Sequence, residues 1–161
     1  MTASVNFIPY ETELDYSAGT ALAAELAQAI RQVHIELGEV VVVVGEGQAA
    51  RLVAELARVA GAVSVHRTDP AALGSVADRS ADVVIFASDE ARALRDALRV
   101  ARNLGRVLLL SGVRPIDFDV YPDLHKRSIR LISVAPQRGT SPQMLSFARY
   151  LIQSGRLNLT S

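Results

Sequence analysis

The stretch Gly38-Glu39-Val40-Val41-Val42-Val43-Val44-Gly45-Glu46-Gly47-Gln48-Ala49-Ala50 decides the fold. Its valine run is too short for a buried helix and reads as a strand covered on both faces, the form that central strands of parallel sheets take. Beyond the glycines the pattern changes. Ala49, Leu52, Val53, Leu56, Ala57 and Ala60 fall on one helical face, with Arg51, Glu55 and Arg58 on the other. A strand that passes through a glycine turn into a helix is the first half of a dinucleotide-binding βαβ unit. Gly45 allows the tight exit from the strand, and Gly47 leaves room for a pyrophosphate. Ala50, at the third fingerprint position, lets the helix pack closely. Amide groups near Gln48 and Ala49 then face a ligand at the positive helix end, where each charge-assisted hydrogen bond contributes about 1.5–3 kcal/mol. The competing reading is a turn kept only for packing.

Outward from this unit, short β-branched runs alternate with helical periodicities. Upstream, residues 1–16 read as irregular, and a helix is expected over 17–37, ended by Gly38. Downstream, a helix over 48–60 stops at Gly61, and a second strand begins at 63–65. A helical crossover follows at 70–77, then a strand at 81–87. A helix is expected over 90–103, capped by Asp89, and a fourth strand over 106–110. A fifth strand lies near 129–134, and a last helix runs over 142–153 with proline in its first turn. The expected fold is α/β, a three-layer Rossmann-like doubly wound parallel sheet of five strands. Their order is 2-1-3-4-5, with helices on both faces and one domain over residues 17–161.

Composition narrows the function. The 17 basic and 17 acidic side chains cancel, so charge gives no argument for a nucleic-acid or anionic-membrane partner. The sequence holds no cysteine, which excludes disulfides, thiolate metal ligands and a cysteine nucleophile. His34, His66 and His125 are too scattered to suggest zinc, and none is expected. No segment approaches a membrane span or a secretory leader, so the expected location is cytoplasmic.

Candidate site residues follow from the topology, because ligands of open α/β sheets bind at the carboxyl ends of the strands. After the second strand an acid commonly holds the adenosine ribose. The sequence there reads Val65-His66-Arg67-Thr68-Asp69, so His66 stands in the acid's place with Arg67 beside it. A guanidinium in place of a carboxylate suits a 2′-phosphate, which favours NADP over NAD. The expected cofactor contacts are Gly45, Gly47, Gln48, Ala49, Ala50, His66, Arg67, Ser88 and Ser111. Arg114 is a further candidate for an anion contact. Tyr121, Asp123, His125 and Lys126 share one loop and resemble acid–base equipment, though a structural role is favoured. His34 reads as a half-buried packing residue.

These segments resemble the medium-chain, zinc-type alcohol dehydrogenase superfamily. The resemblance is carried by Gly38 to Gly47, by Ala57-Arg58-Val59-Ala60-Gly61-Ala62 and by Ala81-Asp82-Val83-Val84-Ile85-Phe86-Ala87. Leu104-Gly105-Arg106-Val107-Leu108, Pro115-Ile116-Asp117-Phe118-Asp119, Tyr121 to Lys126 and Ser154-Gly155-Arg156-Leu157 extend it over about 18–159. It covers the cofactor-binding domain alone. Nothing here matches the GroES-like catalytic domain or its zinc ligands, and the short stretch from His66 to Asp82 implies loss of one outer strand with its helix. The resemblance implies a nicotinamide dinucleotide as ligand, catalytic parts held on another chain or elsewhere in a longer one, and a homodimer through the edge strand near 129–135. Two alternatives stay open: a non-redox scaffold of the same descent, and a cofactor-independent small-molecule enzyme that reuses the crevice.

Overall fold

A computed structural model describes residues 16–112, 118–134 and 140–160. Helix α1 (Tyr16–Val33) leads into β1 (Val40–Val44), α2 (Gly47–Ala60) and β2 (Ser64–Thr68). A single 3-10 turn, Leu73–Ser75, connects to β3 (Ala81–Phe86), followed by α3 (Ala93–Val100) and β4 (Ala101–Leu109). The chain ends with β5 (Arg130–Ser133) and α4 (Pro142–Gln153). All neighbouring strands are parallel, in the order β2-β1-β3-β4-β5. The expected five-stranded Rossmann-like sheet is therefore present, and β2 forms an edge because only the short turn stands between it and β3.

The sheet divides the core in two. Val41, Val43, Val83, Ile85 and Leu108 face α1, α2 and α4. Val42, Val44, Val84, Phe86 and Val107 face α3 and the 3-10 turn. Residues 41–44 and 83–86 are at most 2 % exposed, which accounts for their unbroken apolar sequence. Burying an aliphatic side chain of this kind stabilises by about 1.5–3 kcal/mol.

Two helices end earlier than their periodicity predicts. Helix α1 stops at Val33 because His34 adopts a left-handed φ of 49° and its carbonyl accepts a 2.7 Å bond from Arg106 Nη1. His34 is exposed, so the packing role expected for it is corrected. Arg106 also pairs with Glu39, both side chains being largely buried, and the second Glu39 oxygen accepts from Glu36 N at 2.9 Å. Helix α3 stops at Val100 because Arg127 donates to the Leu98 and Ala101 carbonyls, closing its C-terminus from a distant loop. The segment Arg102–Gly105 then bulges out before β4 rejoins β3, with Leu104 at φ 63° and Arg102 held by Asp82 at 2.6 Å.

Among the described residues no helix is long and apolar enough to cross a membrane, and no three metal-ligating side chains gather.

Candidate functional site

The exit of β1 is held from both sides. Gly45 N donates to Thr68 O on the β2 side at 2.9 Å, and Ala87 N donates to Val44 O at 2.8 Å. Gly45 has φ 146°, and a Cβ there would lie 2.4 Å from the Ala87 carbonyl oxygen. A side chain at this position collides with backbone, so the first glycine is required by strand spacing before any ligand is considered. Gly47 has φ 77°, again a glycine conformation, and opens α2. Ala50 is fully buried against the sheet, as the close helix approach demands. Glu46 precedes the helix in an extended conformation, yet its side chain caps nothing. The first-turn amides of Gly47, Gln48 and Ala49 thus have no side-chain acceptor among the described residues. They open between β1 and β3, where the connections diverge to opposite faces of the sheet.

The other predicted contacts are distributed unevenly. Ser88 is buried at the end of β3. Its hydroxyl accepts from Glu90 N at 3.1 Å, and its carbonyl accepts the Ser111 hydroxyl. The structure therefore brings Ser88 and Ser111 together at the carboxyl edges of β3 and β4, beside the Ala87–Gly45 contact. Asp89 does not cap the following helix, which corrects that expectation: α3 starts only at Ala93, and Ser88 makes the turn. The Gln48 amide group turns away from the crevice and donates to the Leu159 carbonyl at 2.9 Å, joined there by Arg51 at 3.0 Å. Gln48 can offer the site its backbone, not its side chain.

His66 and Arg67 are exposed on β2, opposite Val42 and Val43 and short of the strand's end. The strand continues to Thr68, which pairs with Val44, so the first residue beyond it is Asp69. The strand thus ends later than the sequence predicts. Asp69 has the position and the spacing from the glycine turn, about 20 residues, that a ribose-binding acid requires. One of its oxygens accepts from Ala72 N at 2.6 Å, which anchors the carboxylate and leaves the other oxygen for a ligand. That spacing was the available signal for Asp69.

Val113 and Arg114 lie outside the described residues. Tyr121 and His125 stack with ring centroids 5.7 Å apart, and Asp123 accepts from Asp119 N and pairs with Arg95 at 3.4 Å. This loop braces the α3 side at the amino end of β5, far in topology from the carboxyl edge.

Fold and turn together define a Rossmann-like α/β domain. No family model and no curated protein matches the chain. Solved structures do. A zinc-binding dehydrogenase from Sinorhizobium meliloti 1021, bound to NADP, superposes with TM-score 0.74 at 21 % identity, covering 88 % of this chain and 49 % of its own. L-idonate 5-dehydrogenase from Escherichia coli gives TM-score 0.74 at 18 % identity, with 94 % of this chain and 50 % of the other covered. Benzyl alcohol dehydrogenase from Acinetobacter calcoaceticus gives 0.72 at 15 %, with 86 % and 46 % covered. The chain spans about half the length of these dehydrogenases, and the likeness at such identities is one of fold.

Proposed function

We propose that this chain is the nicotinamide-dinucleotide-binding domain of an oxidoreductase related to the medium-chain alcohol dehydrogenases, with its catalytic groups held elsewhere. The observation that supports this best is the uncapped first turn of α2, entered through Gly45 and Gly47 at the β1–β3 switch. The turn suits a pyrophosphate: its amides are unclaimed by side chains, the helix dipole favours an anion, and Gly47 presents no side chain. In this reading the N–H groups of Gly47, Gln48 and Ala49 hold the pyrophosphate. Asp69 accepts the adenosine ribose hydroxyls, while Ser88 and Ser111 flank the nicotinamide half. The bound cofactor supplies the hydride-transfer chemistry, and this chain's residues bind and orient it.

A carboxylate at the end of β2 repels a 2′-phosphate, so Asp69 favours NAD, in place of the NADP preference drawn from His66 and Arg67. Fluorescence titration is expected to give tighter binding of NADH than of NADPH. Asp69→Ser is expected to narrow that ratio by about tenfold, the loss of one charge-assisted contact. Failure of both nucleotides to bind at millimolar concentration would sink the proposal and leave the non-redox scaffold in its place. The dimer belongs to the same reading. Among the described residues strand β5 is an edge with Leu131 and Ile132 half-buried, and its outer backbone groups suit pairing with a second copy.

A further inference from the structure

A second site stands at the opposite, amino-terminal end of the sheet. A cleft of about 280 Å³ opens there beneath α3, lined by Arg79, Arg95, Arg99 and Arg127 with three aspartates between them. Two of the guanidinium groups are spoken for. Arg99 pairs with Asp78 and with Asp96 at 3.2 Å, and also donates to the carbonyls of Leu73 and Val76. Its bond to Asp78 holds the guanidinium in the charged form more firmly than usual. Arg95 lies between Asp119 and Asp123, at 3.5 and 3.4 Å.

The other two form no ion pair with a carboxylate among the described residues. Arg127 spends one N–H of each terminal nitrogen on the Leu98 and Ala101 carbonyls, which leaves a second N–H on each. Its affinity for the proton is lowered first by burial and next by the positive charge of Arg79, against a smaller opposing pull from Asp123 and Asp78. Arg79 makes no side-chain hydrogen bond or ion pair among the described residues. Its backbone, at φ 53°, is in a conformation uncommon for a side-chain-bearing residue, and its N–H is fixed to Arg99 O at 3.0 Å. A costly local conformation therefore holds one cation beside another across an open cleft.

We propose that this cleft binds a small phosphate-class oxyanion between the guanidinium groups of Arg79 and Arg127. The forked donors of arginine match tetrahedral oxyanions, and one such group relieves the repulsion between the two cations. The cleft is several times the roughly 30 Å³ that one water occupies in the liquid, room for a phosphate or a compact phosphomonoester. The site is independent of the nucleotide turn, and its test separates the two.

Calorimetric titration of the full chain with inorganic phosphate, and separately with glycerol 3-phosphate, is run at ionic strength fixed by chloride. One saturable site is expected with at least one probe, and the tighter probe identifies the source as free phosphate or ester. Arg79→Ala is expected to keep the melting temperature and the NADH affinity while weakening this binding at least tenfold. Absence of saturable binding with both probes overturns the proposal. So does unchanged affinity in Arg79→Ala, and so does displacement of the phosphate by NADH, which would place it at the glycine turn.

Discussion

Replacing Arg106 by methionine removes a charge but little volume, and the structure sets its cost. Arg106 is 6 % exposed and Glu39 is 8 % exposed, and the two are joined on the α1 face of the sheet. The substitution strands the Glu39 carboxylate with only the Glu36 amide and orphans the His34 carbonyl. Removing one partner of a buried pair costs about 3–5 kcal/mol, most of it the desolvation of the remaining charge. A domain of this size loses roughly 2–4 °C of melting temperature per kcal/mol, so the expected drop is about 6–20 °C. Urea unfolding followed by circular dichroism measures the free energy directly. The double variant Glu39→Leu with Arg106→Met leaves no stranded charge and is expected to recover most of the loss. A single variant within about 1 kcal/mol of the parent would refute the reasoning, because the pair would then be solvated rather than buried.

Three further outcomes are expected. Gly45→Ala forces a Cβ against the Ala87 carbonyl at a positive φ, so it destabilises by at least about 2 kcal/mol in denaturant titration and lowers NADH affinity as the turn shifts. Gln48→Ala loses one hydrogen bond to the Leu159 carbonyl, which Arg51 still holds. It is expected to cost at most about 1 kcal/mol and to leave NADH affinity within about twofold. Sedimentation at tens of micromolar is expected to show a dimer in the parent and a monomer in Ser133→Pro, since the Ser133 N–H, out of phase with the Val134 N–H that donates to Leu109 O on β4, points to the outer edge and proline removes it.

Elements with local punctuation were legible in the sequence. Strand β1, bounded by Glu39 and Gly45, and α4, opened by the Ser141 cap and Pro142, match their expected limits. The misjudged boundaries share one physical cause. The ends of α1 and α3 are fixed by Arg106 and Arg127, each reaching back from a remote segment to take helix-terminal carbonyls. Periodicity carries no trace of a donor that distant in the chain. The second strand ran further than expected because His66 and Arg67 look like loop residues, and at an uncovered edge strand they can be polar without cost. With β2 ending at Thr68, the residue just beyond the strand is Asp69 rather than His66. The strand, glycine turn and helix from Val40 to Ala60 match the expectation, but one role of Gly45, clearance of the Ala87 carbonyl, depends on a strand some forty residues away.

The two rims of the sheet also differ in what they permit. At β2 the outermost strand carries Ser64, His66 and Arg67 exposed, a solvated and cationic border that discourages strand addition. At β5 the half-buried Leu131 and Ile132 form the permissive border. A chain with one receptive rim has a valence of one. Strand addition at β5 alone would close at a pair and could not propagate into a fibre, because the polar β2 border offers no second seam.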